Sequence, residues 1–143
     1  MKINNGELKF EGEYVNGERN GKGKEYYING KLKFEGEYLN GQRHGKGKEY
    51  RCNNYERKLV LIFEGEYLNG KRNGKGKEYN SWSGDLKFEG EYLNGKRNGK
   101  GKEYYDERGF LKFEGEYING KREGKGKEYR LYYNHELEFE GEF

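Results

Sequence analysis

Residues 63–79 read FEGEYLNGKRNGKGKEY, and residues 88–104 repeat this segment without a change. The unit recurs with few changes along the chain, its copies starting at Phe10, Phe34, Phe63, Phe88 and Phe113, with a partial copy starting at Phe139. Successive copies start 24, 29, 25, 25 and 26 residues apart, and they differ in length only after their last tyrosine. Such regular recurrence indicates a repeat architecture. We therefore expect residues 1–143 to form a single repeat array.

Each copy shows the pattern of two strands. The segment LKFEGEY alternates apolar and charged residues with a period of two, which indicates a strand with one apolar and one charged face. A helix is disfavoured because each interior glycine would cost about 1 kcal/mol. The sequence therefore predicts an all-β fold: a single-layer, elongated antiparallel meander of repeated hairpins, with about eleven strands.

The turns give the expected register. A four-residue loop at residues 16–19 places Glu11 opposite Lys24, and a two-residue turn at Asn29 and Gly30 places Lys24 opposite Glu35. Opposite charges then face each other on one side of the sheet, while the other side carries aromatic rings with glycines between them. We expect these glycines to leave room for each ring to lie across the neighbouring backbone. Further loops are predicted at residues 82–84 and 107–109, at Tyr133 and Asn134, and around Tyr55.

Composition limits the classes of function. Only 30% of the residues are hydrophobic, which argues against a thick core, but 17% are aromatic, which argues against disorder. A net charge of +3 gives no bulk electrostatic reason to expect nucleic acid as a partner. Residues 1–7 lack the apolar run of a secretory signal, and no apolar stretch reaches the roughly 20 residues that span a bilayer. We expect a cytoplasmic protein that is at most peripheral to a membrane.

The repeat, with Gly after its first acidic residue, Asn-Gly at the turn and GxG in its second strand, resembles the MORN repeat (membrane occupation and recognition nexus). The segment GKLKFEGEYLNGQRHGKGKEY at residues 30–50 is most similar to the MORN-variant repeat of YwqK-like antitoxin-family proteins. This resemblance implies a single-layered antiparallel sheet and a scaffolding or protein-interaction role. In some MORN proteins it also implies association with membranes or phosphoinositides. An antitoxin-like role is a weaker alternative that rests on the resemblance alone.

The sequence contains little that suggests catalysis. His44, His135 and the single Cys52 have no spacing typical of a catalytic triad or a metal site. The expected register pairs the glutamates of the charged face with lysines, and exposed paired carboxylates are poor general acids. We therefore expect no catalytic, cofactor-binding or metal-binding residues, and we interpret the chain as a non-enzymatic scaffold or protein-protein interaction module.

Two surfaces are candidate sites. The first is a basic loop ridge, a candidate site for anionic lipid headgroups or for an acidic protein surface, made of Arg19, Arg43, His44, Lys71, Arg72, Lys96, Arg97, Lys121 and Arg122. Solvated loop charge is the simpler interpretation of these residues. Since the loops carry no apolar residue able to insert into lipid, any such binding would depend on charge alone.

The second candidate is an aromatic face that a protein partner would cover, made of Phe34, Tyr38, Phe63, Tyr67, Phe88, Tyr92, Phe113 and Tyr117. Unless the sheet curls, a single layer is expected to leave one side of these rings uncovered, and large apolar patches commonly mark interaction surfaces. The first and last strands, around residues 8–14 and 137–143, are expected to have unpaired backbone groups. The sequence therefore also predicts self-association through these edge strands or through the aromatic face.

Overall fold

The chain folds as one antiparallel sheet. A computed structural model describes residues 2–4, 7–53, 57–106, 109–131 and 137–143. The strands are β1 (Lys2–Asn4), β2 (Glu7–Val15), β3 (Glu18–Tyr26), β4 (Leu32–Leu39), β5 (Gln42–Asn53), β6 (Lys58–Leu68), β7 (Lys71–Tyr79), β8 (Leu86–Leu93), β9 (Lys96–Tyr104), β10 (Leu111–Ile118), β11 (Lys121–Tyr129) and β12 (Leu137–Glu142). They pair in sequence order, and none of the described residues is helical. This confirms the predicted all-β meander.

Strands β2 to β12 are the eleven that the sequence predicts, and β1 is an addition. It pairs with the start of β2, with Ile3 opposite Leu8 and Asn4 opposite Glu7. The prediction that the backbone of the first repeat strand is unpaired is therefore wrong for the beginning of β2. A short extra strand covers part of that edge.

The turn inside each repeat is tighter than predicted. Val15 lies opposite Glu18, so only Asn16 and Gly17 form the turn, with φ angles of 50° and 80°. Two positive φ angles are typical of the type I′ turn, which Asn-Gly favours because its twist matches that of the strands. After the turn, β3 has a bulge with two more residues than the facing part of β2. Beyond this bulge, Glu11 lies opposite Lys24 as predicted. The four-residue loop was wrong, but the register beyond it is confirmed.

The hairpins at the opposite edge have longer loops than predicted. Gly30 N donates to Tyr27 O at 2.9 Å and Tyr27 N donates to Lys31 O at 2.8 Å, so the loop contains residues 28–30 and not two residues. Gly30 has a φ of 77°, which suits the last position of such a loop. A one-residue shift between Glu25 and Tyr26 restores the predicted pairing of Lys24 with Glu35.

The other predicted loops follow the same trend where the structure describes them. Asn80 N donates to Asp85 O at 2.8 Å, so the loop around Trp82 has four residues, 81–84, and not three. The Asn80 side chain accepts the Trp82 N–H at 2.8 Å, which holds the longer turn. The turn at Tyr133 and Asn134, the hairpin tip around Tyr55 and residues 107–108 lie outside the described residues.

The aromatic rings of one face form the core. The leading phenylalanines of the five copies are fully buried, and the tyrosines Tyr38, Tyr67, Tyr92 and Tyr117 are only 2–4% exposed. The Phe63 ring packs edge to face between Tyr67 and Tyr92, with centroid distances of 5.7 and 5.2 Å. A Cβ atom on Gly76 would lie 2.5 Å from Phe63 Cζ. The prediction that glycines make room for the rings is thus confirmed.

The prediction that these rings lack a covering layer is wrong. The guanidinium carbon of Arg72 lies 4.0 Å from the centroid of Phe63, and the same contact recurs over the leading phenylalanine of every full copy. Each ring therefore lies between glycine backbone on one side and a guanidinium on the other. The arginine supplies the second layer that a single sheet does not have.

Candidate functional site

A glutamate on the aromatic face organises the covering layer. Glu49 accepts a hydrogen bond from the Tyr67 hydroxyl at 2.5 Å and from Arg72 Nε and Nη2 at 3.0 and 3.1 Å. Arg43 Nη1 lies 3.9 Å from Oε1 of the same carboxylate. Glu49 thus joins arginines from two successive copies. These pairs are hydrogen-bonded and partly buried, so they are stronger than exposed surface pairs.

The same cluster recurs along the sheet. We call the alternating row the Arg–Glu layer, made of Arg19, Glu25, Arg43, Glu49, Arg72, Glu78, Arg97, Glu103, Arg122 and Glu128. It contains as many arginines as glutamates, so its charges cancel. The net charge of +3 must therefore be carried by the rest of the molecule. The layer leaves the aromatic face closed and close to neutral.

The cluster also fixes protonation states. Burial alone would raise the pKa of Glu49, but hydrogen bonds from Arg72 and Tyr67 outweigh it, and the pKa is lowered. Burial and the hydrogen bond to Glu49 raise the pKa of Tyr67. The glutamate therefore stays ionised and the tyrosine stays neutral near neutral pH. With these protonation states, Glu49 and Tyr67 suit a structural role as hydrogen-bond partners and not a role in proton transfer.

The structure divides the residues of the predicted ridge into two groups. The five arginines belong to the Arg–Glu layer, with their guanidinium groups packed on the rings, and His44 is half-buried. Lys71, Lys96 and Lys121 are exposed at the Asn-Gly turns. Of the predicted ridge, the lysines are the cations that reach solvent most freely.

Aliphatic residues lie beside these lysines. Leu68, Leu93 and Ile118 are 45%, 50% and 54% exposed, and each is the cross-strand partner of a turn lysine. We call these three aliphatic–lysine pairs the turn edge. The sequence predicts that lipid binding at the ridge depends on charge alone, because the loops carry no apolar residue. That prediction does not consider these three residues, since each belongs to the strand just before its turn.

The face opposite the rings carries a groove of about 1550 Å³ that extends from β2 to β12. Its floor is glycine backbone, and its two walls are rows in which glutamates and lysines alternate from strand to strand. In β6 and β7, for example, the lining residues are Glu64, Gly65, Glu66, Lys75, Gly76 and Lys77. The groove exists because these side chains stand on either side of a line of glycines.

The carboxylates of the groove are held by other groups. The Tyr104 hydroxyl donates to Glu89 Oε1 at 2.5 Å, and the same contact recurs between Tyr79 and Glu64. In the other wall, Glu91 Oε2 accepts the backbone N–H of Lys100 at 2.7 Å. Glu64, Glu89 and Glu91 are therefore each held by a hydrogen bond from within the sheet.

The lysines of the groove are less constrained. The register places them opposite glutamates, as predicted, yet in the part of the chain that the structure describes only Lys127 brings its Nζ within 4.0 Å of a groove carboxylate, that of Glu140, at 3.2 Å. Lys75, Lys77, Lys100 and Lys102 are exposed. The groove thus presents lysines that are not paired with its carboxylates, while Glu64, Glu66, Glu89 and Glu91 each accept a hydrogen bond from within the sheet.

The described residues form neither a cluster of metal ligands nor a membrane-spanning helix. Over the described ranges, no group of three or more His, Cys, Asp or Glu side chains is placed to hold a metal ion. None of the described residues belongs to a helix long and apolar enough to cross a membrane.

The repeated units of the chain match a known repeat family. A family model described as MORN repeat matches five segments of the chain, residues 10–31, 34–54, 63–84, 88–107 and 113–130. Each segment begins at the leading phenylalanine of a copy, and together they span more than half of the chain. No curated protein matches the chain.

Proposed function

The chain belongs to the MORN repeat family, whose repeats are generally protein- or membrane-binding modules, and we propose that this array is a non-enzymatic scaffold that binds a protein partner in its groove. The observation that carries the proposal is the groove itself, which is continuous across the repeats and presents exposed lysines. The aromatic face is a poorer surface for a partner. Its phenylalanines are fully buried beneath the Arg–Glu layer, so a partner would meet paired charges and not rings.

The fixed geometry of the groove favours binding. Tyr104 and the Lys100 N–H hold Glu89 and Glu91, and the strands beneath them are paired on both sides. Binding of a partner therefore costs little conformational entropy in the walls, except in the lysine side chains of the groove. Interfaces of this kind gain specificity from complementary charge more than from bulk apolar area.

Charge reversal in the groove tests the proposal. The full chain carrying Lys77→Glu and Lys102→Glu is compared with a control carrying Lys58→Glu and Lys87→Glu, which changes the net charge equally at exposed positions outside the groove. We expect partners captured from a cell extract to be lost by the first pair and retained by the second. Equal retention by both pairs would refute the groove as the docking surface, and equal loss would indicate binding through bulk charge.

The turn edge favours a second candidate function, peripheral binding to anionic lipids or phosphoinositides. Leu93 beside Lys96 offers an apolar group next to a cation, the combination that binds the membrane interface. Flotation with vesicles of phosphatidylcholine and phosphatidylserine, with and without a phosphoinositide, tests it. We expect Leu68→Ser, Leu93→Ser and Ile118→Ser together to abolish binding at high salt, whereas binding that these changes leave intact would exclude the turn edge.

A further inference from the structure

We infer that the occupant of the groove is an amphipathic α-helix whose acidic and apolar residues recur every seven positions, an inference that rests on the proposed function of the groove. Four features of the molecule lead to it: the spacing of the lysines, the pairing of the floor, the state of the carboxylates and the apolar side chains at one rim.

Equivalent lysines of the groove recur at a regular distance along the sheet. Lys77 in β7 and Lys102 in β9 occupy equivalent positions two strands apart, which corresponds to about 10 Å across the sheet. Lys75 and Lys100 repeat this spacing in the other wall. A helix advances about 10.5 Å in seven residues, so side chains at heptad spacing can meet one equivalent lysine after another. Side-chain flexibility of lysine accommodates the small mismatch.

The pairing of the floor favours a helix over an extended chain. An extended peptide also advances about 10 Å in three residues, but its backbone N–H and C=O groups need partners when they are shielded from water. The strands that form the floor from β3 to β11 are hydrogen-bonded to a neighbour on each side, so their backbone groups are already paired. A helix satisfies its own backbone and presents side chains alone.

The hydrogen bonding of the groove side chains determines which charges the occupant should carry opposite the lysines. Glu89 accepts a hydrogen bond from Tyr104 and Glu91 accepts one from the Lys100 N–H, whereas among the described residues no groove carboxylate lies within 4.0 Å of the Nζ of Lys100 or Lys102. The strongest new interactions that the groove can make are therefore donated by lysines to carboxylates of the partner. The occupant should therefore place its acidic residues over the strands that carry lysines, and not over the intervening strands that carry glutamates.

The turn edge, at one rim of the groove, provides apolar side chains that the occupant can cover. Leu68, Leu93 and Ile118 follow one another at the same spacing as the lysines and are about half exposed. A helix in the groove would cover them with one apolar residue per heptad, next to its acidic residue. An anionic membrane fits this face less well, because its headgroups would lie over the glutamate strands as well as over the lysine strands, and the carboxylates of Glu66 and Glu91 would repel them.

The test uses two synthetic peptides of five heptads, about 52 Å long when helical. In the first, Leu and Glu recur every seven residues on one side. The control has the same composition, the same helix content by circular dichroism and the Leu and Glu positions spaced irregularly. Fluorescence anisotropy with the full chain at physiological salt is expected to show the heptad peptide binding about tenfold tighter or more.

Variants locate the bound peptide. Lys77→Glu with Lys102→Glu should weaken the heptad peptide about tenfold, and Leu93→Ser should weaken it by a smaller factor, whereas Lys58→Glu with Lys87→Glu should leave it unchanged. Equal affinity for the two peptides, or no binding of either, overturns the helix inference. Vesicles containing phosphatidylserine that bind the chain more tightly than the heptad peptide, with loss in the same groove variants, also overturn it.

The two proposals fail in different ways. If cellular partners are lost on Lys77→Glu with Lys102→Glu but the peptides do not differ, the groove binds proteins and the helix inference is wrong. If those partners are indifferent to the groove variants, the proposed function itself is wrong.

Discussion

The guanidinium carbon of Arg97 lies 4.0 Å from the centroid of the Phe88 ring. The same guanidinium donates to both oxygens of Glu78, at 3.1 and 3.0 Å, and lies 3.8 Å from Glu103. One side chain therefore covers a core ring and links the glutamates of two copies. This relationship explains how a sheet without a second layer buries its phenylalanines completely.

Removal of Arg97 should destabilise the array. Arg97→Ala uncovers Phe88 and leaves Glu78 partly buried without its main cation, so we expect a loss of about 2 to 4 kcal/mol in the free energy of unfolding. Lys96→Ala, at the neighbouring exposed position, should cost less than about 0.5 kcal/mol. Urea unfolding followed by circular dichroism measures both. A similar cost for the two variants would contradict the role assigned to the arginine.

Gly101 tests the space beneath the ring. A Cβ atom there would lie 2.5 Å from Phe88 Cζ and 3.1 Å from Tyr117 Cε2, so Gly101→Ala should cost about 1 to 3 kcal/mol. The control is Gly95→Asn, at a turn position with a φ of 87° and no atom near the added Cβ, where Asn should cost less than about 1 kcal/mol. Thermal unfolding compares them. A greater loss at Gly95 would show that turn strain matters more than ring packing.

Much of the fold could be predicted because its signals are local. The alternation in LKFEGEY predicts the strands, and the pairing of Glu11 with Lys24 follows from the charge pattern. The sequence at Asn16 and Gly17 also fits a four-residue loop, because that loop gives a consistent register too. Only an irregularity inside β3 reconciles the short turn with the same register, and nothing local in the sequence requires it.

The site was harder to predict. The sequence predicts Arg19 in a solvent-exposed loop, but the short turn places it in β3 with its guanidinium over Phe10. One signal in the sequence indicates this arrangement. Glu25 lies two residues after Gly23 and therefore on the aromatic face, where a partly buried carboxylate needs a cation as its partner. The freedom of the groove lysines was not predictable from register, because Cα pairing does not show that Tyr79 bonds to Glu64.

The carboxylate of Glu91 should protect one amide in the irregular part of β9. Its Oε2 accepts the Lys100 N–H at 2.7 Å, so Glu91→Ala should cost about 0.5 to 1.5 kcal/mol and speed hydrogen exchange at Lys100. Glu123→Ala, at an exposed position, is the control and should leave exchange at Lys100 unchanged. Exchange measured by nuclear magnetic resonance tests this directly, and unchanged protection in Glu91→Ala would disprove the contact.

Alkaline solution should destabilise the fold. Burial and the hydrogen bond to Glu78 raise the pKa of Tyr92, and Tyr67 and Tyr117 are raised for the equivalent reasons. The unfolded chain loses these protons near pH 10 while the folded chain keeps them, so stability is fully present below about pH 10 and decreases above it. Urea midpoints from pH 8 to 11 measure the decline. Tyr92→Phe should reduce its slope, and an unchanged slope would contradict the assignment.

Acid should destabilise the fold through the glutamates of the Arg–Glu layer. Burial alone would raise the pKa of Glu78, but hydrogen bonds from Arg97 and Tyr92 prevail and lower it, and Glu25, Glu49 and Glu103 are lowered in the same way. In the unfolded chain these carboxyls titrate near pH 4.3. Their contribution is therefore present above about pH 4.3 and is lost as the pH falls through the lower folded pKa values.

The measurement is the urea midpoint between pH 2 and pH 7 for the natural chain and for Glu78→Gln. At neutral pH the variant should be less stable, because Arg97 then lacks a charged partner. Toward low pH the difference between the two proteins should shrink, since protonation of Glu78 in the natural chain removes the same charge. A difference that stayed constant down to pH 2 would mean that the ion pair contributes nothing and that Glu78 acts only through its shape and neutral hydrogen bonds.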